Sequence, residues 1–166
     1  MITFILIFLN IILYFLIPGY DYNLLGLNTS FFKGAYWQIL TSMFLHGSLT
    51  HLILNMIMLF QFGSILEKYL GKLYFVSVYL IGGLLCSFLS VVYIYFFDFD
   101  VNLIGASGAI CVLMGYFAFL DRKSTLGIIV AILLMSFIPL FMGINIAWYG
   151  HIFGFICGFV LAKARH

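Results

Sequence analysis

Three places in this 166-residue chain set polar side chains with chemical potential inside apolar stretches. Gly105-Ala106-Ser107-Gly108-Ala109 puts a serine among small residues where a loop enters a short apolar segment. A serine there has unpaired backbone N–H groups beside it and the positive end of a helix dipole behind it, and small neighbours leave room for a substrate. His151 is followed by Gly154 and Gly158, offsets of three and seven that fall on its own helix face. His51 and Asn55, spaced i, i+4, share another face. Serine and histidine are residue types of nucleophilic catalysis when they meet. Each motif alone also has a plainer explanation: a helix cap or packing notch for Ser107, a satisfied histidine in a tight helix crossing for His151, and a hydrogen-bonding pair that fastens two helices for His51 and Asn55.

The elements that must position these residues follow from composition. Hydrophobic residues make up 66% and charged residues 7% of the chain, against about 45–50% and 25% in soluble domains. Such a chain has no polar surface to offer water and requires lipid, where polar groups are costly and are functional candidates by default. Charges and turn residues divide it into six apolar segments, roughly 1–17, 49–66, 73–97, 106–120, 126–143 and 146–162. The expectation is therefore an all-α, polytopic membrane protein, one domain over 1–166, with a long loop at 18–48 and short connections elsewhere. The first segment carries no charge, no basic start and no A-x-A cleavage site, so it reads as a retained anchor.

With six spans, Lys68, Lys72, Arg122, Lys123, Lys163 and Arg165 share one side and Lys33 alone lies opposite. The excess of basic residues makes the first side cytoplasmic and puts both termini there, with Asp21, Asp98 and Asp100 outside. The 18–48 loop is rich in aromatics, among them Tyr20, Tyr22, Phe31, Phe32, Tyr36 and Trp37. It reads either as an interfacial belt or as a partly embedded loop that shapes a cavity. Cys86, Cys111 and Cys157 lie in apolar stretches as small packing residues; no spacing resembles a metal site, and no cofactor is implied. The net charge of +2, with basic residues scattered, gives no reason to expect a nucleic-acid partner.

Depth joins the three motifs. The second, fourth and sixth spans all run from outside to inside. Asn55 stands 12 residues before Glu67, Ser107 14 before Asp121 and His151 12 before Lys163. At about 1.5 Å per residue each lies roughly 18–21 Å from the cytoplasmic edge, or ~10 Å below the outer surface of a core about 30 Å thick. Unrelated packing features have no reason to share one level, so a site is the better reading. The glycine stripe of His151 and a second one at Gly108, Cys111 and Gly115 could pack together and hold His151 against Ser107.

From residue 36 to about 162 the chain resembles the rhomboid family of intramembrane serine proteases, in its minimal six-helix form. Tyr36-Trp37 through His46 to His51-x-x-x-Asn55 resembles the family's loop and second helix, Gly105-x-Ser107-Gly108 its G-x-S-G motif, and His151 with Gly154 and Gly158 its base histidine and glycine stripe. The resemblance implies a six-transmembrane-helix rhomboid-like bundle in a bacterial inner membrane. It implies Ser107 as nucleophile and His151 as general base, with His51, Asn55 and the Ser107 backbone N–H as oxyanion hole. It implies a structural part for Glu67, and other membrane proteins, single-span or polytopic, as substrates. The chain departs from the family's frequent pattern at Gln38, often arginine, and at Cys111, often a bulky aromatic packed on the histidine.

All five acids lie at span ends or in loops, so a third, orienting carboxylate is not expected. A Ser107–His151 dyad results, with packing holding the ring. Water would enter from the nearer, outer face, under the aromatic loop or the loop before the sixth span. The substrate would be a membrane helix that unwinds near its outer end. Three rivals remain: an inactive relative that binds membrane-protein clients without cutting them; a transporter, against which the polar groups cluster at one depth; and a thiol enzyme, against which Cys157 falls on a different face from His151.

Overall fold

A computed structural model describes residues 1–97, 101–141 and 146–165. Within them the chain is helical and forms no strand beyond an isolated bridge between Leu27 and Leu103. Six long helices carry the fold. The uncharged α1 (Ile2–Leu16) stops at Ile17, whose extended backbone is what the following Pro18 demands. The second, α2 (Leu49–Leu70), opens on Ser48, whose hydroxyl accepts from the His51 N–H at 3.1 Å, and ends at Gly71 with φ of 78°. A π-turn at Leu59–Gly63 interrupts it. Then follow α3 (Lys72–Phe97), α4 (Ser107–Leu120), α5 (Thr125–Phe141) and α6 (Trp148–Arg165). The bounds fall within a few residues of the apolar segments. The expected 144–145 turn and Asp98 and Asp100 lie outside the described residues.

By length and hydropathy α2 and α3 each suffice to cross a bilayer; α1 does so only together with Gly19–Leu25, which turns away by 104°. At 14 residues, α4 is about 21 Å long, short of the roughly 30 Å of hydrocarbon. Phe8 and Phe15 of α1, Leu73 and Phe88 of α3, and Leu126 and Phe141 of α5 project outward, so the outer surface of these three helices is apolar. Helix α4 is buried from Ala109 to Tyr116, as expected of a helix apolar all round.

Against that central helix α6 packs without side chains between the backbones. A Cβ on Gly154 would land on the Gly108 carbonyl, one on Gly158 on the Val112 carbonyl, and one on Gly115 on the Phe155 carbonyl. The two small-residue stripes do face each other, and only glycine permits this approach.

One end of the bundle gathers the basic turns. Arg165 lies over the Tyr74 ring at 4.1 Å, and Arg122 over Phe119 and Phe159 at 4.6 and 5.0 Å. The Glu67 carboxylate caps α1 there, accepting from the backbone N–H groups of Ile2 and Thr3 at 2.7 and 2.8 Å and from the Thr3 hydroxyl at 2.7 Å. This capping lets α2 continue past Glu67, where the charge pattern ends the apolar segment, as far as Leu70.

The opposite end is covered by the 18–48 loop, folded into short helical turns. Leu27 and Leu103 exchange backbone bonds of 2.9 Å, and the Gly105 N–H donates to the Ser42 carbonyl at 2.9 Å. The loop is thereby tied to the strap that enters α4.

Candidate functional site

Ser107 is the first residue of α4, and the Ile110 N–H donates to the Ala106 carbonyl at 2.9 Å. The N–H groups of Ser107, Gly108 and Ala109 therefore precede the first intrahelical bond and point out of the helix start. The strap makes its turn at Gly105, whose φ of +132° is open to glycine and strained for other residues. Gly105 is also a spacer. A methyl group there would stand 2.9 Å from His51 Nε2 and 3.6 Å from Ser107 Oγ, so the imidazole and the hydroxyl border one small gap.

His151 sits in the first turn of α6, with Nε2 3.1 Å from Ser107 Oγ. Its Nδ1 lies 3.0 Å from the hydroxyl of Ser136 on α5, which itself donates to the Ile132 carbonyl at 2.7 Å. Ser136 is wholly buried and His151 nearly so, whereas Ser107 and His51 are half-buried and keep an open side. The glycine seam just inward of His151 fixes the spacing of α4 and α6, and so the meeting of the two side chains.

Asn55 and His51 stand on the same face of α2. The Asn55 amide donates to the His51 carbonyl at 3.0 Å with one of its two N–H groups, leaving the other for a ligand. Behind His51 stands His46, wholly buried, with ring centroids 5.1 Å apart. Burial, and after it the nearness of His51, pushes the His46 imidazole down to about 4, so it is neutral near pH 7. Tyr22 pins this stretch from the loop, donating its hydroxyl to the His46 carbonyl at 2.9 Å.

The supporting residues divide. Gly105, Gly108, Gly154 and Gly158 shape the site directly. Trp37 binds the loop, its indole N–H donating to the Leu24 carbonyl at 3.0 Å while the ring stays half exposed. Gln38 is almost wholly buried; it donates to the Leu24 carbonyl at 3.2 Å and accepts from the Asn28 N–H at 3.3 Å, and so closes the loop without a charge. Cys111 lies within the α4–α6 crossing, against Gly154. Glu67 lies at the far end of the bundle, near the end of α2, bound to the start of α1.

Packing was expected to hold the His151 ring; the structure adds a hydroxyl contact. Sequence reasoning missed Ser136, one polar residue in an apolar helix. Its signal was depth: it stands 11 residues beyond Thr125, the start of α5, roughly 16 Å outward and near the level of the other site residues. Among the described residues no three His, Cys, Asp or Glu side chains gather as metal ligands.

Comparison with known proteins bears on this geometry. Residues 33–166 match the model of the Rhomboid domain. The chain is 33% identical over 144 residues to "Putative rhomboid protease YdcA" of Bacillus subtilis, covering 82% of this chain and 71% of that one. It is 33% identical over 144 residues to the rhomboid protease GluP of the same organism, covering 82% of this chain and 27% of GluP. To RHOMBOID-like protein 6, mitochondrial, of Arabidopsis thaliana it is 34% identical over 136 residues, 75% of this chain and 42% of that protein.

Proposed function

We propose, from the premise that this chain belongs to the rhomboid family, that it is an intramembrane serine endopeptidase cutting other membrane proteins with a Ser107–His151 dyad. The chain is an integral membrane protein, a polytopic helical bundle like its family. The observation that carries the proposal is the 3.1 Å contact between His151 Nε2 and Ser107 Oγ at the half-open start of α4.

Serine attacks a peptide carbonyl only when a base takes its proton as the bond forms. His151 Nε2 is within reach to do so, and later to return the proton to the leaving amine. The carbonyl oxygen gains charge in that step. The Ser107 N–H at the helix start, the imidazole of His51 across Gly105 and the second N–H of Asn55 border the space where it would develop. The half-buried Ser107 supports entry of water and of an extended peptide from the loop-covered end. A substrate reaching this depth is a membrane-embedded segment unwound near its outer end, from a single-span or polytopic protein. The gathering of Arg122, Arg165 and the Lys68 and Lys72 turn at the other end supports both termini being cytoplasmic.

The test is cleavage of a generic single-span substrate in liposomes, with fluorophosphonate labelling in parallel. The wild type should cut and label. Ser107→Ala and His151→Ala should lose activity by on the order of 10⁴-fold or more, and Ser107→Ala should not label. A Ser107→Ala protein that cuts at the wild-type rate refutes the assignment. A wild type that neither cuts nor labels leaves the client-binding alternative.

A further inference from the structure

We infer that Ser136 of α5 is a positioning residue for His151, its hydroxyl oxygen accepting the Nδ1–H of the imidazole so that the Nε2 lone pair faces Ser107. The inference rests on the proteolytic reading above. It follows from counting hydrogens. Ser136 Oγ stands 2.7 Å from the Ile132 carbonyl oxygen and 3.0 Å from His151 Nδ1. A carbonyl only accepts, and a hydroxyl owns one hydrogen. Two oxygens 2.7 Å apart with no hydrogen between them repel, so the Ser136 hydrogen is directed at Ile132. The hydrogen between Ser136 Oγ and Nδ1 must then come from the ring.

A neutral imidazole protonated at Nδ1 is unprotonated at Nε2, the nitrogen 3.1 Å from Ser107 Oγ. All donors therefore run one way: Ser107 O–H to Nε2, Nδ1–H to Ser136, Ser136 O–H to Ile132. When Nε2 takes the Ser107 proton the ring becomes a cation with two N–H donors, and Ser136 still accepts from one of them. Ser136 is wholly buried, so water does not compete for the contact. An uncharged oxygen performs here the orienting task of a carboxylate without burying a second charge in the bundle. Its effect is correspondingly smaller, because the bond between neutral groups is weaker than a charge-assisted one.

Two measurements test this. In the wild-type protein labelled with ¹⁵N-histidine, the His151 ring signals, identified by their loss in His151→Gln, should show Nδ1 protonated and Nε2 bare. Ser136→Ala should lose that single form and Ser136→Thr keep it. In cleavage assays normalised to sites titrated with fluorophosphonate, Ser136→Ala should lower kcat on the order of tenfold with KM little changed, and Ser136→Thr should recover it. Nε2 protonation in the wild type, or full kcat in Ser136→Ala, overturns the inference. The wild-type ring measurement needs neither catalysis nor a Ser136 variant. If the wild type does not label, the protease reading fails while the hydrogen-bond direction is still decided. If it labels and Ser136→Ala keeps full kcat, only the positioning role fails.

Discussion

The α4–α6 seam and the outer loop hold the same pair of side chains by opposite means. In the seam nothing polar is involved: glycines bring two backbones together until no Cβ fits, at Gly154, Gly158 and Gly115. The loop end has a small apolar cluster around Leu27 and Phe31, but side-chain hydrogen bonds tie it down, from Gln38, Trp37, Asn28 and Tyr22 to backbone and side-chain groups. A chain surrounded by lipid gains little from burying one apolar side chain against another, so close backbone approach sets helix spacing where the bundle is dry. Where the strap leaves the helices, the backbone must find partners, and side-chain amides and hydroxyls supply them. Ser107 and His151 sit at the junction, His151 buried beside the seam and Ser107 half-buried beneath the loop.

The contrast breaks most sharply at Gly158. Gly158→Val pushes a side chain into the Val112 carbonyl and should cost about 3 kcal/mol or more, seen as a lower melting temperature in detergent and lost fluorophosphonate labelling. Gly127→Ala, on α5 where nothing stands within 4 Å, should stay within about 0.5 kcal/mol of wild type. Equal stability of Gly158→Val and wild type would mean that the seam does not set the spacing. An intermediate effect belongs to the site itself. Asn55→Ala removes a donor from the proposed oxyanion space and should lower kcat by about 10²-fold at nearly unchanged melting temperature; undiminished kcat removes Asn55 from that role. The loop yields the smallest effect. Gln38→Ala leaves the Leu24 carbonyl with the Trp37 indole as its donor but orphans the Asn28 N–H, and should weaken the loop by about 1 kcal/mol. Hydrogen exchange should rise across residues 24–41 and stay unchanged in α4 and α6, whereas a rise in α4 as well would show that loop and seam open together.

How far the sequence could be read depended on what fixes each feature. Periodicity and charge gave six segments close to the observed helices, erring at the end of α2 because the Glu67 carboxylate caps α1 instead of facing water. The glycine offsets forecast the α4–α6 crossing, since a face is set by 3.6 residues per turn. Gln38 read as a departure from a family pattern, yet it closes the loop with two hydrogen bonds that no local pattern discloses. Ser136 was hidden differently. Ser87, 15 residues from Lys72 on α3, lies within about a helical turn of that level, so depth alone does not separate the two serines. Only α5 packing against α6 does.

By itself the sequence pointed to level and side: rise per residue is constant along a helix, so distance from a charged end places Ser107, His151 and Asn55 near one level with His51 a turn outward, and the basic turns gather at the other end. The tertiary structure alone decided which groups at that depth touch. A hydrogen bond closes only within about 3 Å, a tolerance finer than helical periodicity and reached only when backbones from separate helices lock together.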